Sequence, residues 1–148
     1  MKKKIIPMLL ASMATSGVLV GGLAGTAQAA EGSSCSSWKK VDASGLWGRS
    51  CIQWDGTSWD RAYIELNNAS GSSKRVNFSI QLFQYLGPVL GSNLSTKTVQ
   101  SGDTVKVYTP WIADYHSGPE WALGTVTVNT GTDYATVSDT GWVHEPWV

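Results

Sequence analysis

The sequence predicts an all-β fold, an immunoglobulin-like antiparallel β-sandwich with one disulfide. Beyond Glu31 almost no segment has helical periodicity, whereas apolar and polar residues alternate between clusters of Gly, Asn, Asp and Ser. These clusters separate eight candidate strands, with turn signals at intervals of about 8 to 12 residues, which is typical of a sandwich. The same part of the chain holds both cysteines and all eight tryptophans.

The N-terminal segment predicts a signal peptide of bacterial type over residues 1–29. Residues 2–4 are lysines, residues 5–23 are mostly apolar, and Ala27-Gln28-Ala29 is an A-x-A cleavage site. Cleavage leaves a single domain over residues 30–148, which we expect to be secreted and extracellular. A retained membrane anchor is the alternative, although a proline and several polar residues interrupt the apolar stretch.

The candidate strands follow one another in a regular order. They are 38–41, 50–54, 59–66, 75–86, 95–99, 103–109, 120–129 and 133–138, of which 38–41 and 95–99 carry the weakest pattern. Asp55-Gly56-Thr57-Ser58 joins the second and third candidates, and this composition favours a short hairpin that sets Trp54 and Trp59 opposite or diagonal to each other. Polar turns at 67–74 and 100–103 bound the later strands.

Strand alternation divides the side chains between a core and a solvent face. The residues predicted to face inward are Ala62, Ile64, Leu66, Val76, Phe78, Ile80, Leu82, Val105, Val107, Ala122, Val126 and Val128. The aromatic residues predicted to face outward are Trp59, Tyr63, Phe83, Tyr85, Tyr108 and Trp121, and Arg61, Glu65, Gln81, Lys106, Thr125 and Thr127 are interspersed with them.

These outward aromatics are the basis of a binding hypothesis. Flat rings stack on the apolar faces of sugars while neighbouring polar groups satisfy the hydroxyls. The predicted ligand-binding residues are Trp59, Tyr63, Tyr85, Tyr108 and Trp121. The alternative is that a bulge or a division between two sheets places part of this set in the core.

Cys35 and Cys51 are expected to form a disulfide, because an exported chain meets oxidising conditions. The 15 intervening residues correspond to about 3 kcal/mol of stabilisation. Trp38, Trp47 and Trp54 lie in or near this loop and are expected to pack against the bridge.

Charge argues against two classes of partner. Removal of the signal peptide takes away three of the eleven basic residues and none of the eleven acidic ones, so the mature domain carries a net charge of −3. Its Lys and Arg residues are scattered along the sequence, singly or in pairs, with no longer basic run. We therefore predict no nucleic-acid partner and, after signal cleavage, no membrane partner.

No catalytic or cofactor-binding motif is found, and the chain is predicted to be no enzyme, with no cofactor and no metal. His116 and His144 are the only histidines. Asp114, His116 and Glu120 form the most suggestive polar cluster, which would suit a divalent ion or a glycosidase carboxylate pair. Because Gly118-Pro119 marks a turn there, the favoured interpretation is a loop at the rim of a binding site.

The succession of strands and Ser- and Gly-rich turns from residue 61 to 110 resembles small secreted β-sandwich proteins of actinomycete type and, more loosely, immunoglobulin-like adhesion modules. The early disulfide is also similar to that of the tendamistat-type amylase inhibitors. The inhibitory Trp-Arg-Tyr triplet of that family is absent, since the nearest match is the interrupted Trp59-Asp60-Arg61-Ala62-Tyr63. The resemblance therefore implies a fold and no amylase inhibition.

From the sequence we expect a secreted, non-enzymatic binding protein that adheres to an extracellular polysaccharide or cell-envelope polymer through exposed aromatics. One alternative is an inhibitor or toxin-like protein that binds a secreted enzyme through a protruding loop. A structural protein of the envelope or spore surface is the other. The expected partner is thus an extracellular carbohydrate or a secreted protein.

Overall fold

The computed structural model describes residues 31–84, 86–113, 120–129 and 134–144. This part of the chain forms ten strands: β1 (Gly32–Cys35), β2 (Lys39–Lys40), β3 (Leu46–Trp54), β4 (Trp59–Asn68), β5 (Lys74–Gln84), β6 (Val89–Val99), β7 (Thr104–Tyr108), β8 (Ile112–Ala113), β9 (Glu120–Asn129) and β10 (Tyr134–His144). Within the described ranges, no helix is long and apolar enough to cross a membrane.

The strands form two antiparallel sheets, which we call the front sheet and the back sheet. In the front sheet the β3–β4 hairpin is central; β1 and β2 both pair with β3, and β7 and β8 both pair with β4. Each flank of the hairpin is therefore one interrupted strand. The back sheet has the order β10-β9-β5-β6. The predicted all-β antiparallel sandwich is confirmed.

The core lies between the sheets and follows the predicted alternation. All the residues expected to face inward are buried apart from Val105, which is partly buried and packs against the others. Burying an apolar side chain of this size contributes about 1.5 to 3 kcal/mol. The period of two in β4, β5 and β9 was therefore sufficient to identify most of the core.

A buried polar network also joins the two sheets. Strand β10 shifts register between Asp139 and Trp142, so that Thr140 and Gly141 lie opposite Gly124 of β9. The Gly124 N–H donates to Ser50 Oγ on β3 at 2.8 Å, and Thr140 Oγ1 donates to the Gly124 carbonyl at 2.9 Å. The two hydroxyls are 2.5 Å apart. Because of the register shift, β10 does not pair regularly with Gly124. The hydroxyls of Ser50 and Thr140 supply the hydrogen bonds that the Gly124 N–H and carbonyl would otherwise make within the sheet.

The disulfide between Cys35 and Cys51 is confirmed. The two cysteines are directly opposite each other in the β1–β3 pair, and Cys51 is opposite Tyr63 of β4. The Tyr63 hydroxyl lies 3.6 Å from Cys35 Sγ. The bridge thus lies on the solvent side of the front sheet, where it covers Tyr63.

Three expectations from the sequence are wrong. Trp54 and Trp59 are not neighbours across the hairpin, because Trp54 pairs with Asp60 and packs on the core while Trp59 is on the opposite side of the sheet. Trp38 and Trp47 are not packed away beside the disulfide but are each 38% exposed. The strand candidates also missed β1 and β8, which are too short to show alternation.

Candidate functional site

The solvent side of the front sheet, which we call the front face, carries five rows of side chains across the strands. From one end to the other the rows are Lys40, Trp47, Asn67 and Thr104; Arg49, Glu65 and Lys106; the disulfide, Tyr63 and Tyr108; Gln53 and Arg61; and Trp59 with Ala113. From Trp59 to Asn67 the face is about 27 Å long at ~3.4 Å per residue.

The second row is an ion network. Arg49 Nη2 lies 2.6 Å from Glu65 Oε2, and Lys106 Nζ lies 3.8 Å from Glu65 Oε1. These two cations cover the carboxylate, so that Glu65 is buried although its side chain points outward. These ion pairs stiffen the front face, but they occupy both oxygens of the Glu65 carboxylate and leave little of it accessible to a ligand.

Tyr63 and Tyr108 pack side by side in the third row, with ring centroids 5.0 Å apart. The prediction that Tyr63 is exposed is wrong, since the disulfide and Tyr108 leave only 6% of it accessible. Lys106 Nζ lies 5.1 Å from the centroid of its ring. Tyr63 therefore supports the face from beneath, and Tyr108 is the partly exposed member of the pair.

Arg61 connects this pair to the next aromatic residue. Its guanidinium carbon lies 4.1 Å from the Tyr108 ring centroid and 4.2 Å from the Trp111 ring centroid. Its Nε and Nη2 donate to Gln53 Oε1 at 3.0 and 2.9 Å. Cation–π contacts of this kind contribute about 0.5 to 2 kcal/mol each. The guanidinium is thus held rigidly, with its position set by two rings and an amide.

Two tryptophans lie where the flanking strands are interrupted. Trp38 is in the break between β1 and β2, and Trp111 is in the break between β7 and β8. Each has the guanidinium of an arginine from the central hairpin over its ring, Arg49 at 4.5 Å for Trp38 and Arg61 at 4.2 Å for Trp111. Pro110, which has no N–H to donate, precedes Trp111 at the second break.

Trp59 and Trp111 line an open groove of about 460 Å³ together with Asp55. The exposed fractions of the two indoles are 45% and 37%. Asp55 accepts hydrogen bonds from the hydroxyl and the backbone N–H of Thr57, at 2.7 and 2.8 Å, and from the backbone N–H of Trp59 at 3.2 Å. The Thr57 bonds in particular hold the pKa of Asp55 below its ordinary value. The turn is therefore fixed around an ionised carboxylate beside two exposed rings.

The predicted ligand-binding residues do not form one group. Trp59, Tyr63 and Tyr108 share the front face, although Tyr63 is buried within it. Trp121 belongs to β9 of the back sheet, where it is half-buried opposite Phe83. Tyr85 lies outside the described residues. The alternation was correct for each strand, but the sequence does not show which strands share a sheet.

The prediction missed Trp38, Trp47 and Trp111 as exposed members of this surface. A signal for Trp47 was available: Leu46, Gly48 and Ser50 alternate with Trp47 and Arg49, so a strand begun four residues earlier would have placed Trp47 outward. No comparable signal exists for Trp38 and Trp111, because both lie at breaks in pairing.

The second candidate cluster is only partly described. Asp114 and His116 lie outside the described residues, and Glu120 is buried at the start of β9. In the described part of the chain no group of three or more His, Cys, Asp or Glu residues is arranged to hold a metal ion.

The sequence matches no protein-family model and no curated protein. Solved structures that match part of this chain include a β-glucuronidase from Bacteroides uniformis, with a TM-score of 0.44 and 11% identity over 76% of this chain and 12% of that chain. A β-glucuronidase from glycoside hydrolase family 2 has a TM-score of 0.38 and 10% identity over 73% of this chain and 10% of that chain. A protein from Archaeoglobus fulgidus has a TM-score of 0.37 and 13% identity over 78% and 94%. The chain thus spans about a tenth of the length of these glucuronidases.

Proposed function

We propose that the protein is a secreted, non-enzymatic binding protein that adheres to an extracellular polysaccharide through the front face. The observation that carries this proposal is the groove in which two exposed indoles, Trp59 and Trp111, flank the ionised Asp55. An indole offers a flat apolar surface to a sugar ring, and a carboxylate accepts hydrogen bonds from the hydroxyls at the edge of that ring.

The rigidity of the face supports binding rather than mere exposure. The Trp111 ring is backed by Arg61, which Gln53 holds in place, and the backbone N–H of Trp59 donates to Asp55, which fixes the backbone that carries this indole. A preorganised surface loses little conformational entropy when a ligand binds, which improves affinity for a given contact area. This arrangement differs from that of a flexible aromatic tail.

The length of the face favours a polymer over a single sugar. Exposed indoles occur at both ends, at Trp47 and at Trp59, which are separated by about 27 Å along β4. Trp38 and Trp111 lie at the two flanks between them. A chain of several sugar rings would contact more than one of these indoles, and successive contacts add avidity.

The proposal is tested by retention of the purified mature domain on insoluble glucan, chitin, peptidoglycan and pectin. We expect at least one polymer to retain the domain, and we expect Trp59→Ala and Trp111→Ala each to weaken retention about tenfold, which corresponds to about 1.4 kcal/mol. Leu94→Ala is the control, because Leu94 is 79% exposed on the outer side of the back sheet.

If Leu94→Ala weakens retention as much as Trp59→Ala and Trp111→Ala do, the front face is not the binding surface. Failure of all four polymers, together with copurification of a secreted hydrolase, would favour the inhibitor alternative. Self-association without either partner would favour a structural protein of the envelope.

A further inference from the structure

The charges of the domain are segregated, although its basic residues are scattered along the sequence. Residues 30–148 contain eight basic and eleven acidic residues. Four of the eight basic residues lie on the front face: Lys40, Arg49, Arg61 and Lys106. Two described carboxylates accompany them, Glu65 within the face and Asp55 at its end. Among the described residues, the front face therefore carries a net charge of +2, whereas residues 30–148 as a whole carry −3.

Arg61 differs from the two cations of the second row, Arg49 and Lys106. Lys40 also forms no salt bridge with a described carboxylate, but it lies at the end of the face opposite the groove. Arg49 and Lys106 are both within 4 Å of the Glu65 carboxylate, whereas no carboxylate in the described ranges forms a salt bridge with Arg61. The hydrogen bonds to Gln53 use its Nε and one proton of Nη2. A guanidinium carries five N–H donors, so about three remain for an incoming group.

We propose that the polysaccharide bound by the front face is a polyuronate, whose carboxylate pairs with Arg61 while a neighbouring sugar ring stacks in the groove of Trp59 and Trp111. This inference rests on the proposed function and adds the chemical class of the polymer. The remaining Nη1 and Nη2 donors of a guanidinium match the two oxygens of a carboxylate, and such bidentate pairs are strong and directional.

The charge density argues for a polyuronate over a nucleic acid. The described residues of the front face carry a net charge of only +2 over about 27 Å, whereas duplex DNA carries one negative charge per ~1.7 Å of helix axis. A single guanidinium with unused N–H donors, beside rings that can stack on sugars, suits a polymer that presents one carboxylate per sugar. Hydroxyl groups between the carboxylates would then face the Asp55 carboxylate, which accepts, and the Gln53 amide, whose oxygen already accepts from Arg61 and whose NH2 group donates.

The test compares polygalacturonate with its fully methyl-esterified form, which has the same backbone without the charge. Binding of the mature domain is followed by the change in tryptophan fluorescence. We expect roughly tenfold tighter binding to polygalacturonate, and we expect added salt to reduce only that binding. Arg61→Gln should abolish the roughly tenfold preference for polygalacturonate. Because Arg61 also backs the Trp111 ring, binding to the methyl ester should weaken too, but less than binding to polygalacturonate.

Arg75→Gln is the matched control, since Arg75 is exposed on β5 of the back sheet and its loss changes the net charge equally. Arg61→Lys keeps the charge beside the two rings but not the fork, and it should retain only part of the preference. The melting temperature of each variant reports whether the face remains folded.

The outcomes separate the two proposals. Equal binding of both polymers, or equal loss of both in Arg61→Gln, overturns the uronate inference and leaves the polysaccharide proposal in place. Binding of neither polymer, nor of the four insoluble ones, overturns both proposals. Binding of a single-stranded oligonucleotide as tightly as polygalacturonate also overturns the uronate inference, since charge alone would then suffice.

Discussion

Replacing Ser50 with Ala tests how the two sheets are joined. Ser50 Oγ accepts the N–H of Gly124 and lies 2.5 Å from Thr140 Oγ1, and all three residues are fully buried or nearly so. The substitution leaves the Gly124 N–H without its acceptor and removes the hydrogen bond between the two hydroxyls. The backbone contacts of residue 50 with Ser36 remain.

An unsatisfied buried donor costs about 1 to 3 kcal/mol, and a hydrogen bond contributes about 1 kcal/mol net, so we expect Ser50→Ala to lower the free energy of unfolding by about 2 to 4 kcal/mol. For a domain of this size, 1 kcal/mol shifts the melting temperature by roughly 4 °C, which gives a decrease of roughly 8 to 16 °C. Urea unfolding followed by tryptophan fluorescence measures the change directly.

Ser92→Ala provides the comparison, because Ser92 is exposed on β6 and its removal should change the free energy of unfolding by less than about 0.5 kcal/mol. A Ser50→Ala domain as stable as the Ser92→Ala domain would refute the role given to the network. A changed denaturant slope would show instead that the compactness of one state had altered.

Three further perturbations probe the scaffold. Replacing both Cys35 and Cys51 with Ser should lower the free energy of unfolding by about 3 kcal/mol, measured by urea unfolding. An unchanged unfolding midpoint would contradict this prediction. Gly124→Ala should lower the free energy of unfolding by about 1 to 3 kcal/mol, because a Cβ there would lie 2.6 Å from Thr140 Oγ1. Calorimetry should show a lower melting temperature for this variant. Burial acts to raise the pKa of Asp42, but hydrogen bonds from the Leu46 N–H and from Ser44, together with the nearby Lys74, outweigh it and lower that pKa. A lowered folded-state pKa contributes stability above the unfolded value of about 3.9, so Asp42→Asn should destabilise the domain by about 1 kcal/mol at neutral pH and progressively less as the pH falls below about 4. A difference that stays constant across this range would contradict the last prediction.

The fold was predictable because it depends on local alternation, which a sequence displays. Val76, Phe78, Ile80 and Leu82 alternate without interruption, so the inner side of β5 could be identified from the sequence alone. The front face was predictable only in part, since sheet membership depends on pairing between distant strands. Trp121 alternates as Trp59 does, yet the two belong to different sheets.

The remaining part of the site depends on irregularities that leave no periodic signal. Trp38 and Trp111 are exposed because the flanking strands break at those positions. The contacts of Arg49 and Arg61 with these rings bridge adjacent strands, and strand register is not visible in composition. The burial of Tyr63 likewise follows from the disulfide placed over it.

The indole N–H signals of the isotope-labelled domain map its binding surface most directly. Oligosaccharides of glucan, of chitin and of polygalacturonate are added in turn, and each tryptophan signal is assigned by single substitution. We expect at least one of these ligands to shift the signals of Trp59 and Trp111, with smaller shifts for Trp38 and Trp47, while those of Trp54 and Trp121 remain unchanged. Shifts confined to Trp121, or no shift with any ligand, would contradict the assignment of the front face as the binding surface.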